Sequence, residues 1–171
     1  MSQDPVVVEL VRRVANLEDD LMRQTARISV PVSGAFFSAY ASGTTALSAG
    51  VTTKINLAGV NYTDGNWNTS TYTYVCPVAG NYLFCGNIWG TATAAGNCFS
   101  QIFQNGSAVA RGPEVYIAAG GFISSPVSKV IRCAIGDSII LQGYAGGAGT
   151  ISALADGTFL TGQIQCPASA P

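Results

Sequence analysis

The first 28 residues carry their apolar positions at helical spacing. Asp4-Pro5 reads as an N-cap followed by proline at the first helical position, where a missing N–H costs nothing. Val7, Leu10, Val14, Leu17 and Leu21 then recur at alternating steps of three and four. That is a heptad seam with Val7, Val14 and Leu21 at a and Leu10 and Leu17 at d, extending to Gln24 at d and Ile28 at a. Arg13 at g and Glu18 at the following e form an opposite-sign pair suited to a parallel coil. A coil of about three heptads is too short to hold strongly alone, so it needs a globular partner of the same symmetry. Gln24 in the seam, with Val8 and Val11 widening the apolar face, favours more than two strands or docking onto another protein. A helix lying on its own domain would show the same pattern.

From Val30 onward the period changes to that of short strands separated by turn residues. Val51–Leu57 alternates, and Thr71–Val75 and Asn81–Trp89 flank the break at Pro77-Val78-Ala79-Gly80. Cys98–Gln104 runs into Asn105-Gly106, a strong two-residue hairpin signal. Val127–Ile135 leads through Gly136-Asp137 into Ser138–Tyr144, and Thr158–Cys166 follows as the last strand. About eight to ten strands fit, with no place for a helix after residue 30. The pattern predicts an all-β sandwich or jelly roll over 29–171, preceded by a short coiled-coil helix over 1–28. All 20 glycines lie in the second part.

Charge sharpens this picture. The 171 residues carry 8 Lys+Arg and 9 Asp+Glu, a net charge of −1, and charged residues make up only 10% of the chain. Ordinary soluble domains hold about 25%. Nine of the charges fall in residues 1–27, leaving the β body with Lys54, Asp64, Arg111, Glu114, Lys129, Arg132, Asp137 and Asp156. So bare a surface implies a body partly covered by copies of itself, the rest clothed in Ser, Thr, Asn and Gly. The near-neutral balance argues against a nucleic-acid partner. No apolar run is long enough for a membrane span, and the first residues do not read as a secretory signal, so synthesis and assembly in a cytoplasm are expected.

Four stretches of the β body resemble the complement C1q/tumour-necrosis-factor superfamily. Cys76-Pro77-Val78-Ala79-Gly80-Asn81-Tyr82-Leu83-Phe84 is similar to its Pro-x-x-Gly-x-Tyr-x-Phe motif, and Gln104-Asn105-Gly106 to its Asn-Gly hairpin. Gly136-Asp137-Ser138-Ile139 resembles its Gly-Asp-x-aliphatic turn, and Gly157-Thr158-Phe159-Leu160-Thr161-Gly162 its last strand; Ala35-Phe36 is similar to its first. The resemblance spans about residues 33–166 in family order. It implies a jelly roll forming tight homotrimers, with Phe36, Tyr82, Phe84 and Phe159 in the core or trimer seam. A heptad helix stands here in place of the family's collagen stalk, and the exposed charge clusters with which complement heads read ligands are missing.

Chemistry is sparse. With no histidine, a serine nucleophile lacks its usual base, and the body's acids sit in or near turn sequences. Gly143–Gly149 lacks the Lys-Ser/Thr of a phosphate loop. No catalytic residue, cofactor or metal ligand is assigned. The 5 cysteines contain no CxxC pair and read as reduced strand hydrophobes, or as thiols that oxidise after release from a cell. Asp64 with Asn61 and Asn66 fits a self-capping turn better than a calcium loop. Trp67, Tyr72, Tyr74, Trp89 and Tyr116 lie in polar sequence and suit either a core or a sugar face; Trp67 and Tyr116 are the candidate ligand contacts.

A short trimerising helix before such a head resembles virion proteins of tailed bacteriophages. The expectation is a non-enzymatic homotrimeric capsid decoration or head fibre, docked on other virion proteins through its N-terminal helix. A tail-fibre or tail-tip protein that recognises a host-surface glycan is the alternative, and a non-viral bacterial C1q-like adhesion module is a further one.

Overall fold

The computed structural model describes residues 13–14, 34–151 and 157–167. Arg13 and Val14 are helical, with Val14 exposed; Val7, Leu10, Leu17, Leu21 and Ile28 lie outside the described residues. The chain divides into two units, Met1–Ser33 and Gly34–Pro171.

Every element described in the second unit is a strand. In chain order these are β1 (Phe36–Tyr40), β2 (Thr45–Leu47), β3 (Val51–Lys54), β4 (Gly59–Thr63), β5 (Trp67–Asn68), β6 (Thr73–Val75) and β7 (Gly80–Ala92). There follow β8 (Gly96–Gln104), β9 (Ser107–Arg111), β10 (Val115–Ile117), β11 (Phe122–Cys133), β12 (Ser138–Ala145), β13 (Gly149–Ile151) and β14 (Phe159–Pro167). They form two antiparallel sheets. In the first, β7 pairs with β11 along one edge and with β14 and then β13 along the other; β1 and β4 continue beyond β14, and β2 beyond β13. In the second, β8 and β12 pair centrally, β9 and β10 share the far edge of β8, and β6 and β3 share that of β12. The strand count exceeds the expected one because β2, β5, β6, β10 and β13 are too short to show a period.

Alternation along β7 explains the sandwich. Tyr82, Phe84 and Ile88 point inward and are buried, whereas Leu83, Cys85, Asn87 and Trp89 point outward. Opposite them, Ile102 of β8 and Ile139 and Leu141 of β12 complete the apolar layer. One end of this layer is an aromatic cluster. The Phe37 ring stacks on Tyr74 at 4.3 Å and on Trp67 at 4.9 Å, and Tyr82 stacks on Phe84 at 5.6 Å. Gly162 of β14 makes room for it. A Cβ there would stand 2.6 Å from ring carbons of both Phe37 and Phe84.

The first strand therefore enters the core through Phe37. Phe36 is half-buried on the outer face beside Tyr62, with ring centroids 5.7 Å apart, and Phe159 is half-buried on the same face. Of the four aromatics expected in the core or seam, the intersheet core takes Tyr82 and Phe84. A one-residue shift in strand parity exchanges faces, which is why Phe37 and Leu160 hold the buried places beside Phe36 and Phe159.

Strand β11 begins five residues earlier than the sequence suggests and runs through Pro126. The carbonyl of Pro126 points at Gly112, away from β7, so its nitrogen also faces away from β7, where a ladder donor is not required.

Turn chemistry closes the same end, where Ser138 and Ile139 pair with Val75 and Tyr74. Asn105 (φ 51°) and Gly106 (φ 80°) both adopt left-handed conformations, giving a two-residue hairpin between β8 and β9. Asp137, in the turn between β11 and β12, accepts bonds of 2.7 Å from the Gln104 and Asn105 side chains and from the Ala134 N–H. Asn105 in turn accepts from the Ser138 N–H at 2.9 Å. One carboxylate thus joins two turns. The bonds from Asn105, Ala134 and Gln104, in that order, hold its pKa below the usual carboxylate value.

Two predictions follow from this packing. Gly162→Ala should destabilise the fold by about 1–3 kcal/mol through overpacking, while Gly43→Ala, with nothing within 4 Å of its Cβ, should be neutral in the same thermal melts. Asp137 has a lower pKa folded than unfolded, so its contribution is complete above pH ~4 and is lost as pH falls through the folded value. Solvent screening limits its size. Asp137→Asn should cost about 1 kcal/mol at neutral pH and flatten the decline in stability below pH ~4, measured by denaturant titration.

Candidate functional site

Pairing registers lay out the outer face of the first sheet as cross-strand rows. Val130, Leu83, Gln163 and Phe36 form one row, and Ser128, Cys85, Thr161, Ser38 and Tyr62 the next. Pro126, Asn87, Phe159, Tyr40 and Gly59 make a third, and beyond it come Trp89 beside Ser124 and Thr91 beside Phe122. None of these positions carries a charge. Arg132, at the end of β11, borders the face. Several of its apolar side chains are open to solvent: Phe122 is 66% exposed, Val130 56% and Tyr62 53%. Phe122 stacks on Trp89 at 5.6 Å, so two large rings are presented together. Within the face, the Oδ1 of Asn87 is buried without a hydrogen-bond donor among the described residues, while its amide nitrogen donates to the Gly157 carbonyl at 2.6 Å.

The second sheet is dressed differently. Its outer face carries the row Arg111, Gln101, Gln142 and Lys54, beside Phe99 and Tyr144, whose rings stack at 4.6 Å. The Arg111 guanidinium sits 3.6 Å over the Phe99 ring and is ion-paired with Glu114, which also accepts from the Asn97 amide at 2.7 Å. This is a solvated face whose charges are partnered. The first sheet thus presents an outer face of uncharged rows with several exposed apolar side chains, the second a charged and polar one.

The two candidate ligand contacts separate. Tyr116 on β10 is 69% exposed, at one edge of the second sheet. Trp67, on β5 at the opposite edge, is only 7% exposed, stacks on Phe37, and donates its indole N–H to the Leu57 carbonyl at 3.3 Å. Trp67 is therefore a core residue and not a ligand platform, since the polar residues around it in sequence belong to the turns on either side. A shallow groove here is lined by Trp67 together with Gly65, Asn66, Asn68, Thr69 and Val75.

Asp64 behaves as a turn residue. Its Oδ1 accepts from the Asn66 N–H at 3.0 Å, and its Oδ2 from the Phe36 N–H at 3.2 Å and the Tyr74 hydroxyl at 2.7 Å. Burial, then the bond to Asp64, pushes the Tyr74 hydroxyl pKa far above its ordinary value. Among the described residues no group of three or more His, Cys, Asp and Glu is placed to hold a metal ion, and no helix is long and apolar enough to cross a membrane. The outward positions of β7, Leu83 and Cys85, were missed in the sequence, although strict alternation from Tyr82 and Phe84 marks them.

No protein-family model matches the sequence, and the comparison with curated proteins finds no match either. Solved structures do match. Murine APRIL at pH 5.0 superposes with a TM-score of 0.62 at 14% identity, covering 77% of this chain and 98% of that one. Eiger TNF from S. frugiperda gives 0.63 at 12% identity, covering 81% and 95%. The globular domain of zebrafish complement 1qA gives 0.55 at 10% identity, covering 78% and 98%. The fold is the C1q/TNF-like jelly roll that the ordered motifs suggested.

The placement of the two aromatics generates a test. Trp67→Ala should cost about 3–5 kcal/mol of folding stability, as for a core aromatic. Tyr116→Ala should stay within about 0.5 kcal/mol of the parent in the same chemical denaturation.

Proposed function

We propose that this chain is a non-enzymatic virion structural protein of a tailed bacteriophage, a homotrimeric capsid decoration or head fibre. Its N-terminal heptad helix docks on the particle and its jelly-roll head projects outward. The observation that carries the reading is the outer face of the first sheet, where Phe122, Val130, Tyr62 and Leu83 are open to solvent and no charged side chain intervenes. Such a face suits burial against copies of itself around an axis shared with a short parallel coil. Covering ~1,000 Å² of apolar surface per copy supplies about 25 kcal/mol of gross transfer energy, enough to exceed the entropy of association. The heptad seam supports the docking role.

A tail-tip or tail-fibre protein that binds a host glycan is the second reading. It is favoured by Tyr116, whose ring is free on the sheet away from the apolar face. Copy number separates the two, since a capsid protein occurs in many symmetry-related copies per particle and a tail protein in few.

Light scattering on the full chain, beside one starting at Ser29, tests the assembly. A trimer is expected in both, and Cys85→Arg, which places a charge in the middle of the uncharged rows, should return the shorter chain to a monomer. Monomers of both parent chains at micromolar concentration would overturn the reading. Leu10→Ser with Leu17→Ser should leave the head trimeric and abolish its retention on particles, read by sedimentation with the particle.

A further inference from the structure

The pairing at one end of the sandwich brings together two cysteines that the proposed function does not use. Cys76 directly follows β6 in the second sheet and Cys133 ends β11 in the first. The Cys76 N–H donates to the Asp137 carbonyl at 2.9 Å, and the Cys76 carbonyl accepts from the Gly136 N–H at 2.9 Å. Cys76 is thus clamped to the turn that Cys133 enters, a turn closed by the Asp137 N–H donating to the Ala134 carbonyl at 3.3 Å. From the other side, Cys133 pairs in register with Gly80, four residues after Cys76. Both side chains are buried in the same apolar cluster, where the Cys133 thiol donates to the Ile131 carbonyl at 3.8 Å. The remaining cysteines are placed otherwise: Cys98 is buried at the start of β8, Cys85 is half-buried on the uncharged face, and Cys166 is exposed near the end of β14.

We propose that Cys76 and Cys133 are a disulfide-forming pair, an oxidative modification site that staples the two sheets together where β6 and β11 finish. The oxidant is a low-molecular-weight disulfide such as oxidised glutathione. The Cys133 thiolate attacks one sulfur of that disulfide and expels one thiolate, leaving a mixed disulfide. Cys76 then loses its proton and attacks the Cys133 sulfur, expelling the second thiolate. Two protein thiols give up two electrons and two protons, and the small disulfide is reduced to two thiols. The neighbouring Cys76 thiol favours Cys133 as the first thiolate by lowering its pKa, while the Cys133 neighbour and burial keep the Cys76 thiol protonated. Burial makes the reaction slow in the folded chain and fast during refolding, so a reduced protein persists after synthesis and is cross-linked only where oxidant is plentiful.

The test uses the full chain in glutathione buffer rich in the oxidised form, once folded and once during refolding from denaturant. Non-reducing peptide mapping should find Cys76 linked to Cys133, with the intact mass lower by two hydrogens and Cys85, Cys98 and Cys166 still alkylatable after unfolding. The long loop closed by the bond should raise the thermal midpoint by about 5–10 °C over the reduced chain. Cys133→Ser should abolish both the link and the shift. Should that variant fail to fold, the map of the parent chain decides alone. Free Cys76 and Cys133 after both treatments would overturn the assignment, as would their pairing with another cysteine or with glutathione. A linked pair with an unchanged midpoint would overturn the stapling role.

Discussion

The position of Gly162 governs how the two sheets meet. With only a hydrogen at that Cα, Phe37 and Phe84 close over the backbone of β14, and Tyr74 and Trp67 of the second sheet stack onto Phe37 from across the layer. The aromatic cluster spans β1, β7, β5 and β6, so it fixes spacing and rotation between the sheets at once. Its polar atoms are also accounted for. The Tyr82 hydroxyl donates to the Val78 carbonyl at 2.7 Å, while the Tyr74 hydroxyl and Trp67 indole bond to Asp64 and Leu57. Each ring is therefore held at its rim as well as its face, and the loops supplying the acceptors become part of the core.

Once this end is set, alternation distributes the remaining residues. Inward places go to aliphatics and outward places to whatever each face requires. The second sheet takes Lys54, Arg111 and Glu114, each with a local bonding partner. The first takes none within its rows, and the low charge of the whole body follows largely from that omission. The partition links the composition to the assembly we propose, because a face meant for water gains from charge and one meant for another protein loses by it.

Legibility in the sequence followed the length of the local signal. Asn105-Gly106 was readable because two successive left-handed residues admit few side chains, and Tyr82 and Phe84 because a 13-residue strand shows its period plainly. Whether Phe36 or Phe37 enters the core could not be read because β1 is only 5 residues long and begins with two adjacent phenylalanines. Trp67 could be read as core or as ligand contact alike, because β5 is 2 residues long and its neighbours Asn66 and Asn68 speak for turns. The uncharged face was visible as a deficit of charge but had no address, since it is assembled from five strands distant in sequence. The placing of Cys76 and Cys133 in one buried cluster had no local signature at all.

The proline in β11 bears on how many copies can ever join. A free sheet edge usually invites another strand, and strand addition has no built-in end, so it yields filaments of indefinite length. Here Pro126 removes a donor from the edge of β11, Gly112 packs against its carbonyl, and Lys129 spends its ammonium on the Val109 carbonyl at 2.6 Å across the gap to the neighbouring sheet. Edge-to-edge growth is discouraged just where the apolar face beside it promotes adhesion. In the assembly we propose, contact is channelled into face packing, which can close on itself, and the same strand that borders the uncharged face limits its extension.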